Sequence, residues 1–504
     1  MNKQLLYILS ITAALFFASC DSYLDTTPDN RVVLESEIQV KQLLTSAYSE
    51  ATYGAFCYAM ADNADDKGTG HLTDINNDQA YSWEDFTDTN QDSPQFYWEA
   101  CFKAIANANM ALDFIESQKV NGEVPNEYLP YYGEGLVVRA YHHFMLVNLW
   151  GKHYNPATAA TDLGIPYVTE VEDVVFKDYK RLSVAEVYEL IEKDLVEGIQ
   201  YIEDGAYDVP KYHFNTAAAN SFASRFYLYK GDWQKVVEYS TIALGSSPEA
   251  KLRDLSGAYK AMSLDEQIAE YSKGTESANF LLTSNVSYWF HYFQASYRYA
   301  YSPDIKEKVF DNVFVQESAN EWCQMAASFD TGDDVILKWG YFFKQMDINS
   351  DIGWYYVMTP KIVAEEALFN RIEANVMMKK YADAEQDLDV YFEKRMTYYT
   401  DENRVTEEKV MDFYTDNSNA DSPLNPWYEL GDAKTKAYLN CVIDTRRREF
   451  IYNGLRWFDI RRFNIKVVHE VKNGSPITLE ETDVRKVLQI PTSAQQYGLE
   501  PNER

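Results

Sequence analysis

Apolar residues recur at helical spacing along much of this 504-residue chain, and that periodicity constrains its fold more than any other feature. From Trp98 to Glu116 the positions Trp98, Phe102, Ile105, Leu112 and Ile115 keep helical spacing, and a run from Leu136 to Trp150 is ended by Gly151. Ser183 and Glu186 are spaced as a capping box, opening a helix whose stripe is Val187, Ile191, Leu195, Ile199 and Ile202. Two segments read as helical hairpins. One begins near Asn215, passes Ala219, Phe222, Ala223 and Phe226, turns at Lys230-Gly231-Asp232 and resumes through Trp233, Val237 and Ile242. The other runs from Ile362 to Lys379 and on through Tyr381, Ala384, Leu388 and Phe392. Small residues let paired helices approach, and a short turn makes them antiparallel.

The expected fold is therefore mainly α, a scaffold of helical pairs at about 98–150, 183–245 and 362–395 that resemble degenerate tetratricopeptide repeats. Between about 245 and 360 the periodicity gives way to mixed polar and aromatic residues, so long irregular loops and a few short strands are expected there, forming the ligand-binding region.

At the N-terminus Lys3 precedes an uncharged, mainly apolar run from Leu5 to Ala18, long enough for a signal-peptide core and too short for a membrane span. It closes on Phe17-Ala18-Ser19-Cys20, which resembles a bacterial lipobox with Phe17 where Leu is usual. The expected organisation is a signal peptide over 1–19, a tether over 20–35 lipidated at Cys20, and a folded body over 36–504. No other apolar run is long enough for a span.

With 46 basic and 78 acidic residues the net charge is −32, a field that makes nucleic acid a poor partner. Cys57, Cys101, Cys323 and Cys441 form no CxxC pair and read as buried thiols. The chain has no GxSxG, HExxH, GxxxxGK or GxGxxG, and the adjacent pair His142-His143 points to different helical faces, so neither catalysis nor a histidine metal site is expected.

Aromatics are abundant, with 40 Tyr, 26 Phe and 10 Trp. A sugar ring is held by an aromatic face against its CH groups, with carboxylates, amides or guanidinium groups on its hydroxyls. Two loops carry that mixture: Asp65-Asp66 through Asp74, Asn76 and Asp78 to Tyr81 and Trp83, and Tyr288, Trp289 and Tyr292. Asp88, Asn90, Asp92 and Glu99 have the oxygen-ligand spacing of an EF-hand-like calcium loop, although Ser93 stands where the turn wants Gly and Pro94 follows; the alternative is a solvated acidic loop.

The residues that point to a family are Asp444-Thr445-Arg446-Arg447-Arg448-Glu449-Phe450 and Gly454-Leu455-Arg456-Trp457-Phe458-Asp459-Ile460-Arg461-Arg462, within a C-terminal signature region over 440–504. With the lipobox, Tyr23-Leu24-Asp25, Ala106-Asn107-Ala108-Asn109, Arg139-Ala140-Tyr141, Ala364-Glu365-Glu366-Ala367, Glu373-Ala374 and Ile490-Pro491, the chain resembles SusD/RagB outer-membrane nutrient-binding lipoproteins. The tail departs from the family's usual Asn-Pro-Gly-Tyr-like finish. The resemblance implies a SusD-like helical scaffold, lipid-anchored in the outer membrane and facing the exterior. It also implies no enzymatic activity and no cofactor beyond the candidate calcium. The implied role is capture of oligosaccharide for a SusC-like TonB-dependent transporter, with peptide binding as in RagB-like relatives the alternative and a surface glycoside hydrolase a more distant one. The six arginines from Arg446 to Arg462 are expected to be structural, pairing with carboxylates and stacking on Trp457.

Overall fold

A computed structural model describes residues 34–504 except 173–178, 291–293, 295, 312, 317–319, 329–333, 348, 351 and 416–422. Cys20 and Tyr292 lie outside the described residues. The first elements are α1 (Glu37–Thr45), α2 (Gly54–Ala59), β1 (Asp65–Asp66) and α3 (Ile75–Ser82). Helix α4 (Pro94–Ser117) starts one turn before Trp98, because Pro94 fits the first helical position and Ser93 Oγ accepts from the Phe96 N–H at 3.1 Å. It packs on α5 (Leu129–Trp150), whose residues from Tyr131 to Trp150 are all buried, so this helix is the central post and needs no polar face.

The expected capping box is present at Ser183 and Glu186, opening α6 (Val184–Gly198) on the other side of α5. The first hairpin is α7 (Thr216–Lys230) and α8 (Trp233–Leu244), with Gly231 in the left-handed region (φ 75°) and Asp232 capping α8. Then come α9 (Leu264–Tyr271), β2 (Asn279–Val286), β3 (Tyr299–Ala300), α10 (Pro303–Phe310), β4 (Ala326–Ser328), β5 (Asp334–Ile336), β6 (Tyr341–Gln345) and β7 (Gly353–Val363). The second hairpin, α11 (Ala364–Met377) and α12 (Tyr381–Glu393), turns through Lys379 at φ 60°, a lysine where glycine is usual. The chain ends with α13 (Glu407–Tyr414), α14 (Ala433–Glu449), α15 (Leu455–Arg462), β8 (Val467–His469), β9 (Ile477–Leu479) and α16 (Thr492–Gln496). Helix α11 packs on α7, α8, α12 and α14, which stacks the two hairpins into one layered scaffold.

The arginine signature lies inside this scaffold. Arg462 meets both oxygens of Glu373 at 2.7 and 3.0 Å and Asp459 at 2.8 Å, while Arg446 meets Asp459 at 3.3 Å. Arg456 pairs with Asp62, Arg448 with Asp444, and Arg461 donates to the Gly151 carbonyl. All six guanidinium groups are buried, as a structural role requires. Their aromatic partners are Phe450, Tyr229 and Phe463 instead of the expected Trp457, whose ring is fully buried among other groups. The glutamates of α11 serve the same network: Glu366 pairs with Arg225 at 2.5 Å, and Glu365 with Arg253 and Arg395.

The region expected to be loop-rich contains the main sheet, of order β2-β7-β6 and antiparallel throughout. Strand β7 has 11 residues, longer than the short strands expected. Cys57, Cys101, Cys323 and Cys441 are free thiols. No helix among the described residues is long and apolar enough to cross a membrane.

Candidate functional site

Strand β2 ends at Val286, opposite Tyr356, so the tip of the β6–β7 hairpin projects past its third strand. Residues directly opposite in an antiparallel pair share a face, and alternate residues change face. On one face Phe342 stacks on Tyr356 at 5.6 Å, with Lys344 and Trp354 beside them. Phe342 is 47% exposed and Trp354 40%. That face continues along Met358 and Ser284 into a cavity of about 420 Å³ lined by Tyr48, Glu50, Lys103, Tyr212 and Thr283, where Lys103 and Glu50 meet at 2.9 Å. On the other face Tyr355 is ringed by Tyr341, Phe343 and Tyr288 at centroid distances of 5.2–5.8 Å. Five apolar residues between Tyr341 and Ile352 are more than 40% exposed, an unusual patch for a surface that is not used.

Tyr288 is held against the hairpin by Asp92. Its carboxylate accepts from Ser287 Oγ at 2.6 Å and from the backbone N–H of Tyr288 and Trp289 at 2.8 and 3.1 Å. Burial raises its pKa to about 6 against the opposing effect of these three donors. The second loop is thus fastened by an acid of the Asp88–Glu99 run. The first loop, Asp65 to Trp83, pairs instead with the segment after the second: Asp66 forms a two-pronged ion pair with Arg298 at 2.7 Å, and Asn77 exchanges hydrogen bonds with the Tyr299 backbone.

Most of the expected aromatic contacts are turned inward. Tyr81 is sandwiched between Tyr299 and His469 at 4.0 and 4.1 Å, Trp83 stacks on His469 and donates to the Met60 carbonyl, and Trp289 packs on Tyr58. All three are buried, so their faces are already occupied. Asp65 accepts from Ser302 Oγ at 2.8 Å, and Asp66 is committed to Arg298. Of the described candidates, Tyr288 alone contributes to the exposed aromatic surface.

The oxygens expected to bind calcium do not converge either. Asp88 accepts from Asn76 and from its own loop at Thr89 and Asn90, Asp92 faces the end of β2, and Pro94 starts α4 early enough to carry Glu99 onto that helix. Among the described residues no three His, Cys, Asp or Glu side chains gather as a metal site would require.

Sequence reasoning missed the hairpin, though its signal is present: Tyr341-Phe342-Phe343 and Trp354-Tyr355-Tyr356 flank the polar stretch Asp347 to Gly353.

Residues 22–228 match the SusD-like family described as starch-binding and associating with the outer membrane. Crystal structures share the fold over nearly the whole chain. A SusD superfamily protein from Bacteroides vulgatus aligns at 17% identity and TM-score 0.63, covering 93% of this chain and 99% of its own. One from Bacteroides thetaiotaomicron aligns at 18% and 0.62, covering 93% and 100%. The first part of the chain thus matches this family, and the whole chain shares the fold of these structures. A SusD-like carbohydrate-binding protein from Bacteroides vulgatus aligns at 16% identity and TM-score 0.62, covering 92% of this chain and 97% of its own. No curated protein sequence matches. The exposed hairpin and the cavity beside it present apolar ring faces, a cation, a carboxylate and hydroxyls.

Proposed function

We propose that the protein captures oligosaccharide at the cell surface, without transforming it, and delivers it to a SusC-like TonB-dependent transporter. The observation that carries this reading is the continuous face from Trp354 and the Phe342–Tyr356 stack into the cavity of Glu50, Lys103 and Tyr212. Flat rings take the CH face of a sugar, and the cavity groups take its hydroxyls. The family's starch-binding description and the carbohydrate-binding relative support the same ligand class. Cys20 carries the lipid that anchors the chain in the outer membrane, with the body facing outward; Cys20→Ala releases it from the membrane fraction or leaves it unprocessed.

Calorimetric titration with a panel of neutral oligosaccharides tests the reading. At least one binds, and Phe342→Ala with Trp354→Ala weakens it about tenfold or more while Tm is unchanged. A panel that binds nothing, or binding indifferent to both substitutions, overturns it. One observation favours a peptide instead: β6 is the open edge of its sheet, where an extended chain adds as another strand. Tight binding of unstructured peptides, with no saccharide bound, selects that reading.

A further inference from the structure

A cavity of about 290 Å³ lies between the end of α5, the end of α15 and the segment after β9, and it shares no lining residue with the hairpin or the cavity beside it. Arg461 stands at its wall, 5% exposed. The other five arginines of the signature each pair with a carboxylate, from Asp62, Asp444, Asp459 or Glu373. Arg461 pairs with none among the described residues, and its hydrogen bond goes to the Gly151 carbonyl. Lys486, 6% exposed, lines the same cavity and likewise has no carboxylate partner among the described residues; it donates to the carbonyls of Ile465 and Glu481, each at 2.8 Å. His153 is the third such group. It is half-buried against Tyr229 and has no hydrogen-bond partner among the described residues. Burial, with Arg462 and Arg461 nearby, holds its pKa well below the ordinary value, so the ring is neutral and has one N–H to give.

A buried charge is normally neutralised by a partner. Two buried cations without one, beside an unused N–H donor, are complementary to an oxyanion, and the planar guanidinium fork matches a carboxylate best. The other charged groups of the lining do not cancel them: Lys152 and Asp162 satisfy each other at 2.8 Å, Asp483 is held by Arg485 at 2.7 Å, and Arg462 is held by Glu373 and Asp459. The remaining walls narrow the ligand class. Trp427 supplies an aromatic wall, and the exposed Glu481 and Thr482 are acceptors for hydroxyl groups. Inorganic phosphate leaves the ring unused and meets Glu481 as a like charge. A sugar acid uses all of these features: its carboxylate meets the cations, its CH groups lie on Trp427, and its hydroxyls donate to Glu481 and Thr482. We infer that the cavity between the ends of α5 and α15 binds the carboxylate of a hexuronic acid. The inference takes its ligand class from the saccharide reading, but it requires nothing of the hairpin.

The test is calorimetric titration of the full chain with glucuronate, glucuronamide, glucose and inorganic phosphate, at moderate salt so that the net charge of −32 is screened while charges in contact are not. Glucuronate is expected to bind about tenfold or more tightly than glucuronamide, which differs from it only in lacking the charge, and more tightly than glucose or phosphate. Arg461→Gln weakens glucuronate about tenfold or more and His153→Phe several-fold, while Phe342→Ala with Trp354→Ala leaves it unchanged. His153 makes no hydrogen bond that phenylalanine would lose, so His153→Phe keeps the parent Tm and decides the matter where Arg461→Gln does not fold. No binding of glucuronate, equal binding of glucuronate and glucuronamide, tighter binding of phosphate, or indifference to His153→Phe overturns the inference. Failure of the neutral oligosaccharide panel with glucuronate still bound overturns the hairpin reading and leaves this one standing.

Discussion

In the α14–α15 signature six arginines are sealed inside the protein, and each charge meets a carboxylate, an amide or a carbonyl; in the β6–β7 hairpin, rings that a core would normally enclose stand half exposed. Both are runs of side chains that cost free energy when poorly accommodated. The arginines are buried against partners inside the fold and, but for Arg461 at the wall of its cavity, out of reach of a ligand, and truncating a partner strands a buried charge. The hairpin rings have unused faces, which makes them dispensable for folding and available for recognition.

The sharpest way to break that comparison is to truncate one partner on each side. Glu373→Ala is expected to cost about 3–5 kcal/mol in urea unfolding, because Arg462 is left buried against a cavity. Phe342→Ala with Trp354→Ala should stay within about 1 kcal/mol of the parent, since partly exposed positions lose little packing. Equal losses would mean that the hairpin is scaffold as well.

Acid offers the next largest contrast. His142 and His143 on α5 each use one ring nitrogen on a carbonyl of the preceding turn, and the other accepts from the backbone N–H of Ser49 and Val168 respectively. Burial lowers their pKa values to about 4 and about 3, so the folded scaffold holds neutral imidazoles. Their contribution to stability is fully present above about pH 6.5 and is lost as pH falls through about 4 and then about 3. Unfolding midpoints measured from pH 7 to pH 3 should show that loss, and His143→Asn should flatten it; an unchanged slope would remove His143 from the account.

Asp92, which holds Tyr288 at the aromatic surface, titrates with the opposite sign. Its folded pKa is raised to about 6, so the stability linked to it is fully present below about pH 3.8 and is lost as pH rises through about 6. Asp92→Asn should abolish that smaller slope; a slope that persists would assign it to another group. The smallest expected effect is at Lys379, strained in the left-handed region. Lys379→Gly should raise Tm on the order of 1 °C, less whatever its exposed pairing with Asp432 contributes. No rise, or a fall, would show that the pairing outweighs the strain.

The helices were legible because their signals are local. The capping box at Ser183 and Glu186, the turn at Gly231 and the period of α4 are each set within a few residues. The structural role of the arginines was legible from the acids among them, but their partners Glu373, Asp62 and Asn63 were not, since they come from distant parts of the chain. The candidate site was legible only at Tyr288. Tyr81, Trp83 and Trp289 have the composition of a binding loop, and nothing in their own segments reports that His469, Met60 and Tyr58 cover them.

By itself the sequence determined the helical pairs, their caps and turns, the acidic surface and the family resemblance, because helix formation and net charge depend on residues near one another or on their sum. Which aromatics face water was decided by the tertiary structure alone. Exposure at Phe342 and Trp354 follows from β2 ending opposite Tyr356, and the length of one strand cannot be read from the residues of another.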